Sequence, residues 1–500
     1  MQGVAALTGA SHWQARGVIR AHSVLALREA EQHALARTPP GSLMQRASGA
    51  VATGALRLLG SRGTSVVGAR VVLLVGPGNN GADALFAGAR LRRRGARVDA
   101  VLTTPERTHP EALAALGRAG GRIRPIEQLA SLLQSADLVI DGLLGIGAAP
   151  PLRGGIREVV AVLHRLRRER DAGPLGPMVL AVDVPTGVDP DTGAGDLTIR
   201  ADLTVTFGAA STGLLVAPQS GTLWVVEIGL EPSTPPDAVS YEPEDLPSVV
   251  PEIGDDKFSS GVVGIHAGSP GYPGAAVLCT GAAVRARPSL VRFAGEQAPS
   301  VLARWPEVVA AATVEESGRV QAWVIGPGIG TGGAALADLD RVLAMPVPVL
   351  VDADALTVLA THPLLLARRV RAGGAPVVLT PHQREFARLF PDLDVQADGG
   401  PDRLTAARTA AARSGAVVLL KGHRTVIAAP DGRTAVNRTG SPWLASAGSG
   451  DVLSGLIGSI LATGRDPFEA AALGALRHGL AGEAAERVGI AGAQALLDHL

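Results

Sequence analysis

Two series of short apolar runs, rich in Val, Ile and Leu and separated by alanine-rich stretches, constrain this chain more than any other feature. The first series is VVLLVG (71–76), RVDAVLT (97–103), DLVIDGL (137–143), VLAVDV (179–184), LTVTFG (203–208) and LWVVEI (223–228). The second is VVGIHAG (262–268), AWVIGPG (322–328), VPVLVDADA (347–355), PVVLT (376–380), VVLLKG (417–422) and TVIAAP (425–430). Apolar runs without polar alternation, divided by helical stretches, predict mainly parallel sheets buried on both faces. Between the series, residues 231–255 lose all periodicity and fill with Pro, Asp and Glu, which predicts an extended connector. The expected fold is α/β in two domains. The predicted organisation is a leader at 1–23, a domain at 24–230, a linker at 231–254 and a domain at 255–500.

Composition narrows the function classes. The 46 basic and 46 acidic residues balance, so no global charge favours nucleic acid or an anionic membrane, and neither partner is expected. No apolar run is long enough to span a bilayer. The first 22 residues lack a signal-peptide pattern. Cys279 is the single cysteine, which rules out an intramolecular disulfide and suits a reducing cytoplasm.

In parallel α/β folds ligands bind beyond the carboxyl ends of strands, and the motifs of the first half fall there. GPGNNGADA (76–84) puts glycines and three clustered polar residues, Asn79, Asn80 and Asp83, between a strand and a helix start with free N–H groups. Asp141 ends an apolar strand before a glycine loop, and Asp183 adjoins Pro185, Thr186 and Gly187. Asn80, Asp141 and the Thr186 hydroxyl make an oxygen-only set that suits a hard cation rather than zinc.

With ALREAEQHAL (26–35), LMQRASGAVA (43–52) and TVTFGAASTGLL (204–215), these motifs resemble the N-terminal domain of the bifunctional NAD(P)H-hydrate repair enzymes. The resemblance implies a Rossmann-like three-layer αβα domain that epimerises the R and S hydrates of NADH and NADPH. It implies substrate contacts from Asn79, Asn80, Gly81, Ala82 and Asp83, from the loop Gly145, Ile146, Gly147, Ala148, Ala149, Pro150 and Pro151, and from Asp183 as acid–base group. Potassium would be held by Asn80, Asp141 and Thr186. Ser211 stands where the family usually has a lysine. An alternative reading therefore makes the first half a binding module.

In the second half, SPWLASAGSGDVLSG (441–455) sets small residues before a helix start, where consecutive N–H groups can converge on an anion. Asp451 follows, at a position where the helix dipole favours the ionised carboxylate. A carboxylate there suits removal of a hydroxyl proton during phosphoryl transfer. It would also serve as a simple N-cap. Lys421, in LLKGHRT, is one of only two lysines among the 46 basic residues. A compact point charge in a chain that otherwise uses arginine suits a phosphate oxygen, and Lys421 to Thr425 are expected exposed at a turn. LTPHQREF places His382 just past a strand, where packing explains it less easily.

DDKFSSGVVGIHAGSPGYPGAA, GPGIG, DADAL, LTPHQREF, LKGHRT and ASAGSGDVLSG, in that order, resemble the dehydratase domain of the same family. That implies a ribokinase-like α/β domain. Ala275, Gly330, His382 and Asp451 would line the hydrate site. Lys421, Gly422, His423, Arg424, Thr425 and Gly450 would hold the nucleotide. Asp451 would be the base, and the hydrate NADHX or NADPHX would be dehydrated at the expense of ADP with Mg2+. A homo-oligomer is also implied. A ribokinase-like sugar or vitamin kinase would share AGSGD, and is the rival reading.

Overall fold

The computed structural model describes residues 17–148, 150–170, 176–250, 252–287, 289–397 and 399–500. The chain divides into two compact units, Met1–Ala238 and Val239–Leu500. No helix among the described residues is long and apolar enough to cross a membrane.

The strands of the first unit are β1 (Ile19–His22), β2 (Arg70–Val75), β3 (Arg97–Leu102), β4 (Arg122–Arg124), β5 (Leu138–Gly142), β6 (Met178–Val182), β7 (Leu203–Phe207), β8 (Ala210–Ser211) and β9 (Thr222–Val226). Seven of them form a parallel sheet in the order β4-β3-β2-β5-β6-β7-β9. Strand period explains the layers. Val71, Leu73 and Val75 pack with helices Ser42–Ser61, Asn79–Arg93 and Pro110–Arg118, whereas Val72 and Leu74 pack with Leu129–Ser135 and Gly154–Arg170. Both faces are therefore covered, which is why these runs carry no polar alternation. Each fully buried Val or Leu contributes about 1.5–3 kcal/mol. From β2 the chain runs outward through β3 and β4 and returns to β5, so the carboxyl ends of β2 and β5 flank a topological switch point.

The second unit adds β10 (Ala238–Ser240), β11 (Val262–His266), β12 (Leu290–Ala294), β13 (Val309–Ala311), β14 (Ala322–Ile325), β15 (Val349–Val351), β16 (Val377–Leu379), β17 (Val417–Leu420), β18 (Thr425–Ala428) and β19 (Thr434–Asn437). Their order is β13-β12-β11-β14-β15-β16-β17-β18-β19-β10, parallel from β13 to β17, with β18 antiparallel to both neighbours. The switch point here lies between β11 and β14. Helices Pro273–Ala286 and Ser449–Leu461 pack closely beside it because small residues line their contact: a methyl group on Gly455 would overlap the Cys279 carbonyl oxygen.

Three expectations change. The segment read as a leader ends in β1, whose Ala21 and His22 are buried and pair in register with Ala210 and Ser211; residues 1–16 lie outside the described residues. The connector contains β10 and a short turn of helix, Pro243–Asp245, so it is ordered rather than simply extended. VPVLVDADA is a strand only over Val349–Val351, because the chain turns at Asp352, the N-cap position, into the helix Ala353–Thr361.

Candidate active sites

In the first unit, the loops after β2, β5 and β6 meet over the switch point. They border a cavity of about 470 Å³ lined by Asn79, Asn80, Asp83, Gly145, Ile146, Gly147, Ala148 and Asp183 among others. Asp183 takes a left-handed backbone, φ 69°, a conformation that costs a non-glycine residue about 1–3 kcal/mol and tends to persist at functional sites. Its Oδ2 accepts the Ile146 N–H at 3.0 Å and its Oδ1 the Thr206 hydroxyl at 3.2 Å. Burial nevertheless raises its pKa.

Two further carboxyls face the same cavity. Asp83 is buried and its Oδ1 has no hydrogen-bond partner; burial, then Asp183 and Glu31, push its pKa well up. Glu31 is raised by burial and by Asp183. The sequence reading assigned no site role to helix Val24–Arg37. The signal was present, since Leu27, Glu31 and Leu35 repeat at four-residue intervals and put a charge on an apolar stripe.

Asp141 and Thr186 do not line this cavity. Asp141 is fully buried, accepting the Thr186 N–H at 2.8 Å, the Thr186 hydroxyl at 2.7 Å and the Leu143 N–H at 3.2 Å. Burial still pushes its carboxyl up to about 6. Asn80 spends its amide N–H groups on the Leu144 and Val182 carbonyls, at 2.9 and 2.8 Å, which leaves its Oδ1 as an acceptor. Thr186 donates its proton to Asp141, so its lone pairs are free as well. The donor set fits a hard monovalent cation. A small cavity of about 10 Å³ lies beside Thr186, bordered by Gly145, Ala148 and Pro150.

Gly81 and Ala82 do not line the larger cavity. Both are buried in the helix, and a methyl on Gly81 would overlap the Gly76 carbonyl oxygen, so glycine is needed there for packing. Pro151 is exposed and borders neither cavity. Ala149 lies outside the described residues. Ser211 is fully buried, lines neither cavity, and its hydroxyl has no hydrogen-bond partner.

In the second unit, Lys421 is not exposed at a turn: its side chain is 19% exposed, and its Nζ donates to Asp352 Oδ1 at 2.7 Å. Burial works to lower its pKa, but Asp352, Glu385 and Asp451 outweigh that and raise it. Ser454 donates to the other Asp352 oxygen at 2.7 Å. A methyl on Gly450 would lie 3.4 Å from Lys421 Nζ, which puts the ammonium beside the small-residue turn. Asp451 is in the first turn of helix Ser449–Leu461. The expectation that the helix dipole keeps it ionised is corrected: burial and then Asp352 push its carboxyl up to about 7, with Lys421 acting downward.

His382 is the N-cap of helix Gln383–Leu389. Its Nδ1 accepts the N–H groups of Arg384 and Glu385, at 3.0 and 3.3 Å, and Glu385 returns a bond to the His382 N–H. Its position past a strand thus has a structural explanation, and the same bonds leave the ring proton on Nε2. Gly330 donates its N–H to Asp354 at 2.8 Å, and methyl groups on Gly328 would crowd Ala275 and Tyr272, so the two loops at the switch point meet. Arg424 donates to the Arg438 carbonyl, and Thr425 to that of Gly422 at 3.3 Å; Gly422 and His423 are exposed. Two partners were missed. Asp352 lies 69 residues from Lys421, and Arg403 donates to the carbonyls of Leu420 and Lys421 at 3.0 Å.

Comparison with known proteins follows this division. The family described as YjeF-related protein N-terminus matches residues 40–213, and that described as NAD(P)H-hydrate dehydratase matches 263–499. The bifunctional NAD(P)H-hydrate repair enzyme Nnr of Mycobacterium tuberculosis is 48% identical over 454 residues, covering 90% of this chain and 91% of that protein. Its Mycobacterium leprae counterpart is 47% identical, covering 90% of each. Among solved structures, the ADP/ATP-dependent NAD(P)H-hydrate dehydratase of Bacillus subtilis, co-crystallised with ATP and Mg2+, is 28% identical over 50% of this chain and 91% of that one, with a TM-score of 0.43. The chain belongs to the family of bifunctional NAD(P)H-hydrate repair enzymes.

Proposed function

We propose that the chain restores damaged nicotinamide nucleotides: residues 24–230, with the β1 strand, epimerise the R and S hydrates of NADH and NADPH, and residues 255–500 dehydrate the S hydrate. The observation that carries the reading is the placement of Asp451, a half-buried acid in the first turn of a helix beside the Gly450 turn and the Lys421–Asp352 pair, where burial and Asp352 push its carboxyl up to about 7. A base with that pKa works well at neutral pH. The hydrate's ring hydroxyl attacks the β-phosphorus of ADP, AMP leaves, and Asp451 takes the hydroxyl proton. The ring nitrogen then expels phosphate, and loss of the neighbouring ring proton restores the dihydronicotinamide. Mg2+ bound with the nucleotide would neutralise its phosphates. Lys421, Gly422, His423, Arg424, Thr425 and Gly450 hold the nucleotide; Ala275, Gly330 and His382 join Asp451 around the hydrate.

In the first unit Asp183 is the acid–base group. Asn79, Asn80 and Asp83 with Gly145, Ile146, Gly147 and Ala148 contact the hydrate, and Asn80, Asp141 and Thr186 hold potassium. When bound, that cation would supply a fixed positive charge to the site. Asp141, by accepting the Thr186 hydroxyl proton, would leave that oxygen's lone pairs available to the cation.

A second reading, in which the first unit binds the hydrate without epimerising it, is favoured by Ser211, a buried serine where the family's lysine is expected. R-to-S conversion by the full chain carrying Asp451→Asn decides between them. Conversion above the spontaneous rate supports the epimerase, and none supports the binding role. Supplying ADP and hydrated NADH to the unaltered chain tests the dehydratase. Return of the near-ultraviolet absorbance of NADH is expected, whereas phosphorylation of a free sugar instead would make the second unit a kinase.

A further inference from the structure

His478 lies in the long helix Pro467–Val488 and is buried. Its Nε2 is 2.9 Å from the carbonyl oxygen of Ser449. A backbone carbonyl can only accept, so Nε2 carries the proton and the imidazole donates. Burial pushes this ring down to about 4, so it is neutral, with a fixed donor, throughout the neutral range.

The bond falls on one particular peptide group. The Ser449 carbonyl and the Gly450 N–H belong to the same planar trans unit, in which C=O and N–H point in opposite directions. A donor that fixes the carbonyl therefore fixes the direction of the N–H, and polarising the carbonyl strengthens the N–H as a donor. Gly450, which carries this N–H, neighbours Lys421: a methyl on it would lie 3.4 Å from Lys421 Nζ. Ser449 is anchored a second time, through its hydroxyl to the Leu444 carbonyl at 2.6 Å.

We propose that His478 is a positioning residue for phosphoryl transfer, holding the Ser449–Gly450 peptide so that the Gly450 N–H meets a phosphate oxygen of the nucleoside diphosphate. The inference rests on the nucleotide role of Gly450 proposed above. It accounts for a buried histidine that contributes no side-chain chemistry to the reacting atoms.

Steady-state kinetics of the full chain with ADP and the S hydrate tests it. His478→Phe keeps a ring of similar shape without the donor, and His478→Gln keeps an N–H donor. For His478→Phe, kcat/KM for ADP falls roughly tenfold or more, the size expected for a lost hydrogen bond to an oriented group. His478→Gln recovers most of that, while the KM for hydrate is unmoved in both. Equal loss in the two variants, or no loss in His478→Phe, overturns the inference and leaves the dehydratase reading standing. No turnover of ADP by the unaltered chain overturns that reading and this inference with it. Should His478→Phe fail to melt cooperatively, the imidazole N–H resonance of His478 in the unaltered chain gives the answer: it shifts when ADP is added, and a resonance unmoved at saturating ADP contradicts the proposal.

Discussion

Lys421 meets Asp352 at 2.7 Å in a space that a methyl on Gly450 would already narrow. A planar guanidinium is wider and carries its donors in a fixed fork. Lys421→Arg should therefore lower dehydratase kcat/KM sharply rather than substitute for lysine. Lys421→Met leaves Asp352, 1% exposed, without its counter-charge, and should cost about 3 kcal/mol of stability in denaturant unfolding. Asp451 gives the pH dependence. A base must be unprotonated to accept a proton, and burial raises this carboxyl to about 7, so dehydratase kcat/KM should climb as pH rises through about 7 and flatten above it. Asp451→Asn removes the base and should reduce turnover on the order of a hundredfold to ten-thousandfold.

At the scale of elements, the anion-binding turn is only as well placed as the helix behind it. Helix Ser449–Leu461 lies so close to Pro273–Ala286 that Gly455 has no room for a methyl. Gly455→Ala should cost roughly 2–3 kcal/mol in thermal or denaturant unfolding. Gly274, on the partner helix with nothing within 4 Å of a methyl, should accept alanine without loss. In the first unit, the end of β5 and the loop after β6 are tied by the Asp141–Thr186 bonds. If potassium completes that tie, KCl should raise Tm above that in an equal concentration of choline chloride, because a ligand that binds only the folded state stabilises it. Asp141→Asn should remove the difference; an equal difference in the variant would place the ion elsewhere.

For the whole molecule, what the sequence revealed depended on burial. Strands covered on both faces, such as β2 and β5, appear as unbroken apolar runs and were legible. β12 was not: Arg292 interrupts Leu290–Ala294, its guanidinium directed to the Ser317 carbonyl. β13 ends in alanines that read as helical, and β19 is bounded by the polar Thr434 and Asn437. The strand-end loops with their glycines and acids were legible because the chemistry is local. The Lys421–Asp352 pair, the Arg403 brace and the His478–Ser449 bond were not, because each joins residues of separate elements brought together only by tertiary packing. Glu31 falls between, since its helical spacing was visible but its cavity was not. The central claim is that one chain carries both repair activities. Its most direct test supplies an equilibrated R/S mixture of hydrated NADH with ADP and measures how much NADH returns. The account predicts fast and complete conversion by the unaltered chain, a fast phase ending at the S fraction and then only the spontaneous rate for Asp183→Asn, and a rate lower by about a hundredfold or more for Asp451→Asn. NADH production by Asp451→Asn at an undiminished rate, or no NADH from the unaltered chain, would contradict it.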